Sequence, residues 1–577
     1  MSLSVDVIPN RTSPPAILLR EAWRDGKRIR RRTIANLSKM PPFLIDAIRL
    51  SLAGGVTFPS LNAAVDIRRS LPYGHIAAVL GTLQSLGLIR VFGRKSERMR
   101  DLLVAAVIAR VVDPTSQLSV AQTLSPETAS TSLEAVLELG QVSDNEVLLM
   151  LDWLLKRKPW IERSLANRHL KGENTLLLYN VSSSNRDEKK NKRQITYGLL
   201  CSADGCPVAL KVFAGNTGES TTVASQVDTV RKRFGIDRVA FVGDRGMLKT
   251  ARIRKDMKSA ELDWVSALKP GDIRKLIQED PMGVLAPLTA EELVLNAVAE
   301  VISTDFPGER LMVCLNPRLR HERARKRTAF LLATEEVLET IAAAVRSGRL
   351  KGKECINRRV EHDINRRKVG KHFTIDVTDD AIVWYRRQDR ITAEARLDGI
   401  YVIRTSLDTT ALGSEAAVEA YKSIARIERA FHMMKATRLK VRPVDVYSEN
   451  HIRAYMFVCM LAYYLEWHMR QRLAPLLFED DDHKGARAQR NSPAEPTRVS
   501  KGTQTKAITK RTSEGPPVHD FTALLADLAT LTLNEVTLTG SSDYAFPLLA
   551  TPTELQNRAF DLLEIDPANY VAMSVAG

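Results

Sequence analysis

The segment between residues 175 and 269 constrains the fold most, because short apolar runs alternate there with turn and helix signals. The run TLLLYNV (175–181) predicts a strand, and it carries a polar amide, Asn180, near its end. ITYGLLC (195–201) and CPVALKVF (206–213) predict a hairpin across the turn SADG. The first part of this segment is therefore predicted to be three antiparallel strands.

A helix and two more strands follow. STTVASQVDTVRKRFG (220–235) predicts a helix that is capped by Ser220 or Thr221 and ends at Gly235. RVAFVGD (238–244) predicts a buried strand with an acid at its tip. A helix, KTARIRKDMKSA, and a strand, DWVSALK, come next. Three antiparallel strands, a helix and a strand tipped by an acid indicate the opening of a ribonuclease-H-like α/β domain over residues 173–270.

An α+β insertion is predicted at residues 271–397, with the basic stretch PRLRHERARKR and the short strands of HFTIDVTDDAIVWYRR. The α/β pattern returns in 398–478, with the strand GIYVIRTS and the helix SEAAVEAYKSIARIERAFHMMKA at 414–436. The apolar stretch 454–469 contains Glu466 and is short for a bilayer span, so it predicts a buried helix. Residues 479–517 predict a disordered basic linker and 518–577 a small helical appendage.

The N-terminal part is basic. Residues 1–40 predict a β-hairpin around Asp25-Gly26, whose second strand begins with Lys27, Arg28 and Arg30. Such a strand either meets phosphates or is a charged edge that prevents aggregation. Residues 41–172 predict a helical region, which is either a DNA-binding unit or a set of solvated helices. Arg94 and Lys95 belong to its basic cluster.

Net charge is +16 with a pI near 9.6, which favours a polyanionic partner, nucleic acid first, over a merely basic soluble protein. The five cysteines form no paired framework, and the N-terminus has no secretory signal pattern, so a reduced cytoplasmic location without membrane insertion is expected. Cys201 and Cys206 suit the two sides of a hairpin turn better than a zinc site.

Phosphoryl transfer with two metal ions needs carboxylates that converge on one point. In a ribonuclease-H-like sheet they come from the first strand, the tip of the fourth and a helix alongside, which here means position 180, Asp244 and Glu428. Tyr421, Glu428 and Lys435 are each seven residues apart and so lie near one helix face. An ordinary amphipathic helix with exposed Glu and Lys would show the same spacing.

Taken together, the blocks resemble DDE transposases of bacterial insertion sequences, of the insertion-sequence 4 type, in the long subgroup with a strand-rich insertion. The similar blocks are LLLYNVSSS, ITYGLLCSADGCPVALKVFAGNTGEST, FVGDRGM, DGIYVIRTS and AYKSIARIERAFHMMK, in the family's order. The resemblance implies binding of terminal inverted repeats and target DNA by a homodimer in the bacterial cytoplasm, at the nucleoid. It also implies strand cleavage and transfer with Mg²⁺, or Mn²⁺, held by Asp244 and Glu428.

The family's third motif, Y-(2)-R-(3)-E-(6)-K, maps onto Tyr421, Ile424, Glu428 and Lys435. Ile424 replaces the family's arginine, and Arg426 lies nearby in the sequence. By this resemblance Tyr421, Lys435 and Arg245 contact DNA phosphates, and Arg426 is a further candidate.

Two departures from the family fall at one place. Asn180 stands where the family has an aspartate, and the following loop, NRDEKKNKRQ, is shorter than is typical of it. Asp187 and Glu188 in that loop are the candidates to replace the lost charge. The sequence thus indicates a transposase whose catalysis is impaired, or alternatively a DNA-binding relic or transposition inhibitor. A ribonuclease-H-like nuclease with other substrates is a third reading, which the insertion and the Tyr-Glu-Lys helix disfavour.

Overall fold

The computed structural model describes most of the residues of the chain. They are 2–10, 14–54, 65–93, 97–114, 121–122, 124–125, 130–170, 175–185, 194–236, 239–248, 250, 253–258, 261–279, 298–367, 370–437, 448–478, 511, 518–538 and 545–571. Arg94, Lys95, Asp187 and Glu188 lie outside the described residues, as does the predicted linker 479–517 apart from Arg511.

The strands are given in chain order. They are β1 (Ser2–Ile8), β2 (Ala16–Asp25), β3 (Arg28–Asn36), β4 (Val65–Pro72), β5 (Thr175–Asn185), β6 (Gln194–Ser202), β7 (Pro207–Ala214), β8 (Val239–Gly243), β9 (Asp263–Ala267), β10 (Val298–Val301), β11 (Arg310–Leu315), β12 (Phe373–Val377), β13 (Ile382–Arg386), β14 (Ile400–Thr405), β15 (Thr532–Leu538) and β16 (Ala545–Leu549).

The α-helices are named in the same way. They are α1 (Pro42–Leu52), α2 (Gly74–Ser85), α3 (Leu88–Phe92), α4 (Arg98–Val112), α5 (Leu133–Leu137), α6 (Asp144–His169), α7 (Val223–Asp228), α8 (Pro270–Glu279), α9 (Pro317–Arg346), α10 (Lys353–Arg367), α11 (Gln388–Ala395), α12 (Ser414–Lys422), α13 (Ile424–His432), α14 (Glu449–Arg472), α15 (Phe521–Ala529) and α16 (Glu554–Leu563). Short π-helical segments occur at Thr229–Phe234, Ile253–Met257 and Met433–Thr437.

An eight-stranded mixed sheet forms the centre of the fold, in the order β10-β11-β14-β9-β8-β5-β6-β7. β5, β8 and β9 run parallel to one another, and all other neighbours in the sheet are antiparallel. β8 is buried along its whole length, as expected for a parallel strand in the middle of a sheet. The predicted α/β class and the three antiparallel strands that open it are confirmed.

The N-terminal helices and the sheet share one hydrophobic core. α14 lies at its centre and packs against α4, α6 and β7. Residues 454–465 of α14 are all buried, which confirms the predicted buried helix. No helix among the described residues is long and apolar enough to cross a membrane.

Residues 271–397 belong to two parts of the fold, the main sheet and a smaller unit beside it in the chain. β10 and β11 extend the main sheet beyond β14, and α8 packs on that end of the sheet. The remainder, α9 to α11 with the β12–β13 hairpin, has a smaller apolar core of its own. The basic stretch predicted at 317–327 forms the first third of α9.

The two chain ends contain strands that the sequence reading left out. β1 adds to the predicted β2–β3 hairpin, which makes a three-stranded antiparallel sheet. The C-terminal part contains β15 and β16 as well as helices, so the expectation of a purely helical appendage is wrong. β15 pairs with β4, and α15 and α16 pack on α2.

Several predicted helices are divided. The helix expected at 220–235 begins as a 3₁₀ turn, Glu219–Thr221, continues as α7 and ends as a π-helix. The expected cap is also wrong, because the residue before α7 is Thr222, whereas Gly235 does end the helix in the left-handed conformation. The helix expected at 414–436 is divided at Ser423, whose hydroxyl donates to the carbonyl of Ala420. Such side-chain bonds compete with the helical backbone.

Candidate active site

The register of β5 and β8 brings two predicted site residues together. In this parallel pair Tyr179 lies opposite Gly243, so the next residues, Asn180 and Asp244, lie side by side. Asn180 is in the middle of β5, and Asp244 follows the last residue of β8. Both are half-buried. The predicted meeting of position 180 with the tip of the following buried strand is therefore observed.

Alternation along β5 directs its side chains to two faces of the sheet. Tyr179 is buried and its hydroxyl donates to Oγ1 of Thr222, next to α7. Asn180 and Ser182 lie on the other face, as does Tyr197, which is paired with Ser182 across β5 and β6. Tyr197 packs edge-on against Phe431 of α13, with ring centroids 5.5 Å apart. The face that carries Asn180 is therefore the one covered by α13.

The helical segments α12, α13 and 433–437 contact both strands of this site. The hydroxyl of Tyr421 donates to Oδ1 of Asp244 at 3.4 Å. At the other end Lys435 donates to the hydroxyl of Ser182, and its Nζ lies 5.8 Å from the ring centroid of Tyr197. One end of the predicted Tyr-Glu-Lys face, Tyr421, thus contacts the acid that follows β8, and the other end, Lys435, contacts β5.

Glu428 is exposed on α13, between these two contacts. The charges of Asp244 and Glu428 both act on the hydroxyl of Tyr421. Burial, together with the negative charges of Asp244 and Glu428, raises the pKa of the Tyr421 hydroxyl to about 12, although Arg245 acts in the opposite direction. Tyr421 therefore stays protonated at neutral pH and donates a hydrogen bond to Asp244.

The side-chain amide of Asn180 is hydrogen-bonded to the protein backbone. Oδ1 of Asn180 accepts a hydrogen bond from the N–H of Val181 at 2.8 Å. An amide is neutral, so the only negative charge at this pair of neighbouring positions is the carboxylate of Asp244. The site therefore has an acceptor at position 180 but no charge there.

Glu219 is a carboxylate near Asp244 that the sequence reading missed. It is exposed in the turn that leads from β7 to α7. A Cβ atom at Gly246 would lie 3.3 Å from Oδ2 of Asp244 and 3.5 Å from Oε2 of Glu219, so the two carboxylates lie close to each other around Gly246. Oδ2 of Asp244 also accepts from the N–H of Gly246 at 3.2 Å. The sequence contained one signal, an acid directly before the predicted helix start.

The predicted basic residues differ in their surroundings. Arg245 is exposed beside Asp244. Arg426 instead contacts the β6–β7 turn, where it donates to the carbonyl of Ala203 at 2.6 Å and lies 3.8 Å from Asp204. Lys27, Arg28 and Arg30 are exposed in the N-terminal sheet. The roles of these residues in DNA binding stay predictions.

The donor atoms fit a hard divalent cation. Asp244, Glu219 and Glu428 offer carboxylate oxygens, and Asn180 offers an amide oxygen, which are the ligand types that Mg²⁺ and Mn²⁺ prefer. Neither thiol nor imidazole belongs to this group of residues. The fit is weaker than with a charged residue at position 180, because one neutral oxygen replaces a charged one.

Comparison with known proteins identifies the central part of the chain. Residues 179–465 match the family described as Transposase DDE domain. The match spans Asn180, Asp244, Glu428 and Lys435, together with the segment predicted to be an insertion. No match was found among curated proteins. The expectation of a DDE transposase domain is confirmed at this level, whereas the insertion-sequence 4 subgroup stays a prediction.

Proposed function

From the transposase DDE domain at residues 179–465 we propose that this protein binds the ends of an insertion sequence and that its site is built for metal-dependent strand cleavage and transfer. The observation that carries the proposal is the register that sets position 180 beside Asp244, under a helix that carries Glu428. The order β7-β6-β5-β8-β9, with β5, β8 and β9 parallel, supports a ribonuclease-H-like domain. The insertion-sequence 4 type is proposed from the sequence blocks alone.

Asp244 and Glu428 would hold the divalent cations, with Glu219 as an additional carboxylate. Bound Mg²⁺ or Mn²⁺ would activate the attacking oxygen and stabilise the leaving one. Tyr421 orients Asp244 through its hydrogen bond. Tyr421, Lys435 and Arg245 surround this point and would contact DNA phosphates, terminal-repeat and target DNA in turn, within a homodimer.

Asn180 is the weak point of this site, and we propose that it impairs catalysis in this protein. An amide cannot neutralise a cation, so two cations would share fewer charges than in a site with an acid at this position. The alternative is a DNA-binding relic or transposition inhibitor. It is favoured by the neutral amide at position 180, whose oxygen already accepts a hydrogen bond from the N–H of Val181.

The test is cleavage of DNA that carries the element's own ends, with Mg²⁺ or Mn²⁺. Wild type is compared with Asn180→Asp, with Glu219→Gln and with the control Asp244→Asn. Nicking by Asn180→Asp alone supports an impaired transposase. Nicking by wild type that disappears in Glu219→Gln shows that Glu219 supplies the missing charge, and our account of Asn180 is then wrong. Binding of the ends without nicking by any variant supports the relic.

A further inference from the structure

Three side chains from distant parts of the chain meet outside the proposed active site. His169 is the last residue of α6, Cys206 precedes β7 at the β6–β7 turn, and His468 lies in the last part of α14. One ligand atom from each residue lies within 4.8 Å of the other two. We propose that these residues bind one divalent cation, and that this cation is Zn²⁺.

The distances fit a tetrahedral ion. Sγ of Cys206 lies 3.7 Å from Nε2 of His169 and 4.0 Å from Nε2 of His468. With zinc–sulfur and zinc–nitrogen bonds of ordinary length, a tetrahedral site separates sulfur from nitrogen by about 3.6 Å. The two sulfur–nitrogen separations are therefore within a few tenths of an ångström of a loaded site. The ligand nitrogens of the two histidines are within 4.8 Å of each other, against about 3.3 Å in a tetrahedral site, so the half-buried imidazoles must move together as the ion binds.

The donor set favours zinc over the cation of the active site. One sulfur and two imidazole nitrogens are typical of Zn²⁺, whereas Mg²⁺ takes oxygen ligands. Three protein ligands leave a fourth tetrahedral position for water or another donor. In the absence of an ion, Nε2 of His169 has another partner, the phenol oxygen of Tyr464 at 2.8 Å. Binding of the ion requires that hydrogen bond to give way.

The local environment prepares two of the ligands. Burial lowers the pKa of His468 to about 3, and it also lowers the pKa of His169, so both imidazoles are neutral at pH 7 and have a free electron pair. Burial raises the pKa of the Cys206 thiol. Zinc binds the thiolate form of cysteine, so the ion displaces the proton of Cys206 as it binds.

The consequence would be structural. An ion at this point connects the helical N-terminal region, through α6, to the β6–β7 turn of the main sheet and to the central helix α14. The same β6–β7 turn is the one that Arg426 of α13 contacts, through Asp204 and Gly205. A bound ion would fix the turn against the helices, and with it the end of α13 that faces the turn.

The test uses the full-length protein, freed of metal with a chelator and titrated with Co²⁺. We expect one ion per chain with the intense visible bands of tetrahedral Co²⁺ and a near-ultraviolet thiolate-to-cobalt band, both removed by Zn²⁺. Cys206→Ser removes the thiolate band, and His468→Gln weakens binding at least tenfold. Cys355→Ser, at an exposed cysteine, and His451→Gln, on the same helix α14, serve as matched controls and retain both bands.

Two results would overturn the proposal. One is a wild-type protein without a thiolate band, which would leave the cluster as a hydrogen-bonded group around Tyr464. The other is a band that persists in Cys206→Ser. If Cys206→Ser does not fold, His468→Gln decides, because its side chain is only partly buried. Oxygen ligands at Asp244 and Glu428 give no sulfur band, so this result is independent of the nicking assay.

Discussion

The change Asn180→Asp tests the active site without any knowledge of the DNA sequence. It adds one negative charge beside Asp244 while the side chain keeps nearly the same size and shape. Because the two positions are neighbours in the register of β5 and β8, the charges repel each other when no cation is bound. We expect the metal-free variant to be less stable than wild type and to be stabilised by Mg²⁺.

The magnitude follows from the strand spacing. Neighbouring strands lie about 4.8 Å apart, so the two carboxylates are about 5 Å from each other when both side chains leave the same face. At an effective dielectric constant of about 20 the repulsion is about 3 kcal/mol. Both positions are only half-buried, so water and salt reduce the cost to about 1–2 kcal/mol.

Thermal unfolding in chelator and in Mg²⁺ measures this effect. Asn180→Asp should unfold at a lower temperature than wild type in chelator and recover in Mg²⁺, whereas wild type should respond weakly. Ser183→Asp is the matched control, since it adds the same charge to β5 on the opposite face and should show no recovery. If Asn180→Asp melts like wild type in both solutions, positions 180 and 244 do not share a cation site and the reasoning fails.

Three other changes test ion pairs and backbone strain elsewhere in the fold. Arg98 and Ser143 hold the pKa of Glu146 at about 2, below its ordinary 4.5, so the stability it adds is present above pH 4.5 and is lost as the pH falls towards 2. Urea unfolding at several acidic pH values should show a smaller loss in Glu146→Gln. Glu162→Gln should lower the free energy of unfolding by about 3 kcal/mol. This buried carboxylate accepts hydrogen bonds from Lys158, Arg233 and the N–H of Leu210. Glu449→Gln is the control: it removes an exposed ion pair with Arg453 and should lower the free energy of unfolding by less than about 1 kcal/mol in the same denaturation assay. Gly205→Ala should destabilise by about 1–3 kcal/mol, since Gly205 has φ +86° and a Cβ there would lie 2.9 Å from Cβ of Arg426. Gly271→Ala, with open space around it, is the control in thermal unfolding, and equal melting of both variants would contradict the strain at Gly205.

The sequence predicted elements well where the pattern is local. The hairpin β6–β7 was readable from its turn residues, and β5, β8, β9 and β14 from apolar runs bounded by polar ones. The strands that were missed depend on distant partners. β15 pairs with β4, more than 450 residues away in the chain, and neither has a strong alternating pattern of its own. Pairing over such a distance leaves no local signal.

The adjacency of two site positions was predictable from the sequence because strand order implies which strands are neighbours. The positions of Asn180 and Asp244 follow from a first strand that lies beside the fourth, and the observed register agrees. Glu219 could not be found in this way, because it is brought to Asp244 by the path of a turn. The division of the helix at Ser423 was equally hidden, since it depends on a hydroxyl that bonds its own helix. Both depend on backbone geometry that residue type alone does not fix.

The position of Asn180 explains how a site can lose its chemistry while the fold remains. Asn180 continues the strand, its backbone keeps the pairing with Leu199, and its amide finds a donor at Val181. No core contact depends on a charge there, and removal of the charge even relieves repulsion at Asp244. The substitution would therefore preserve or raise stability at the expense of cation binding. Stability measurements without metal will favour the asparagine, and only measurements with Mg²⁺ or DNA can favour the acid.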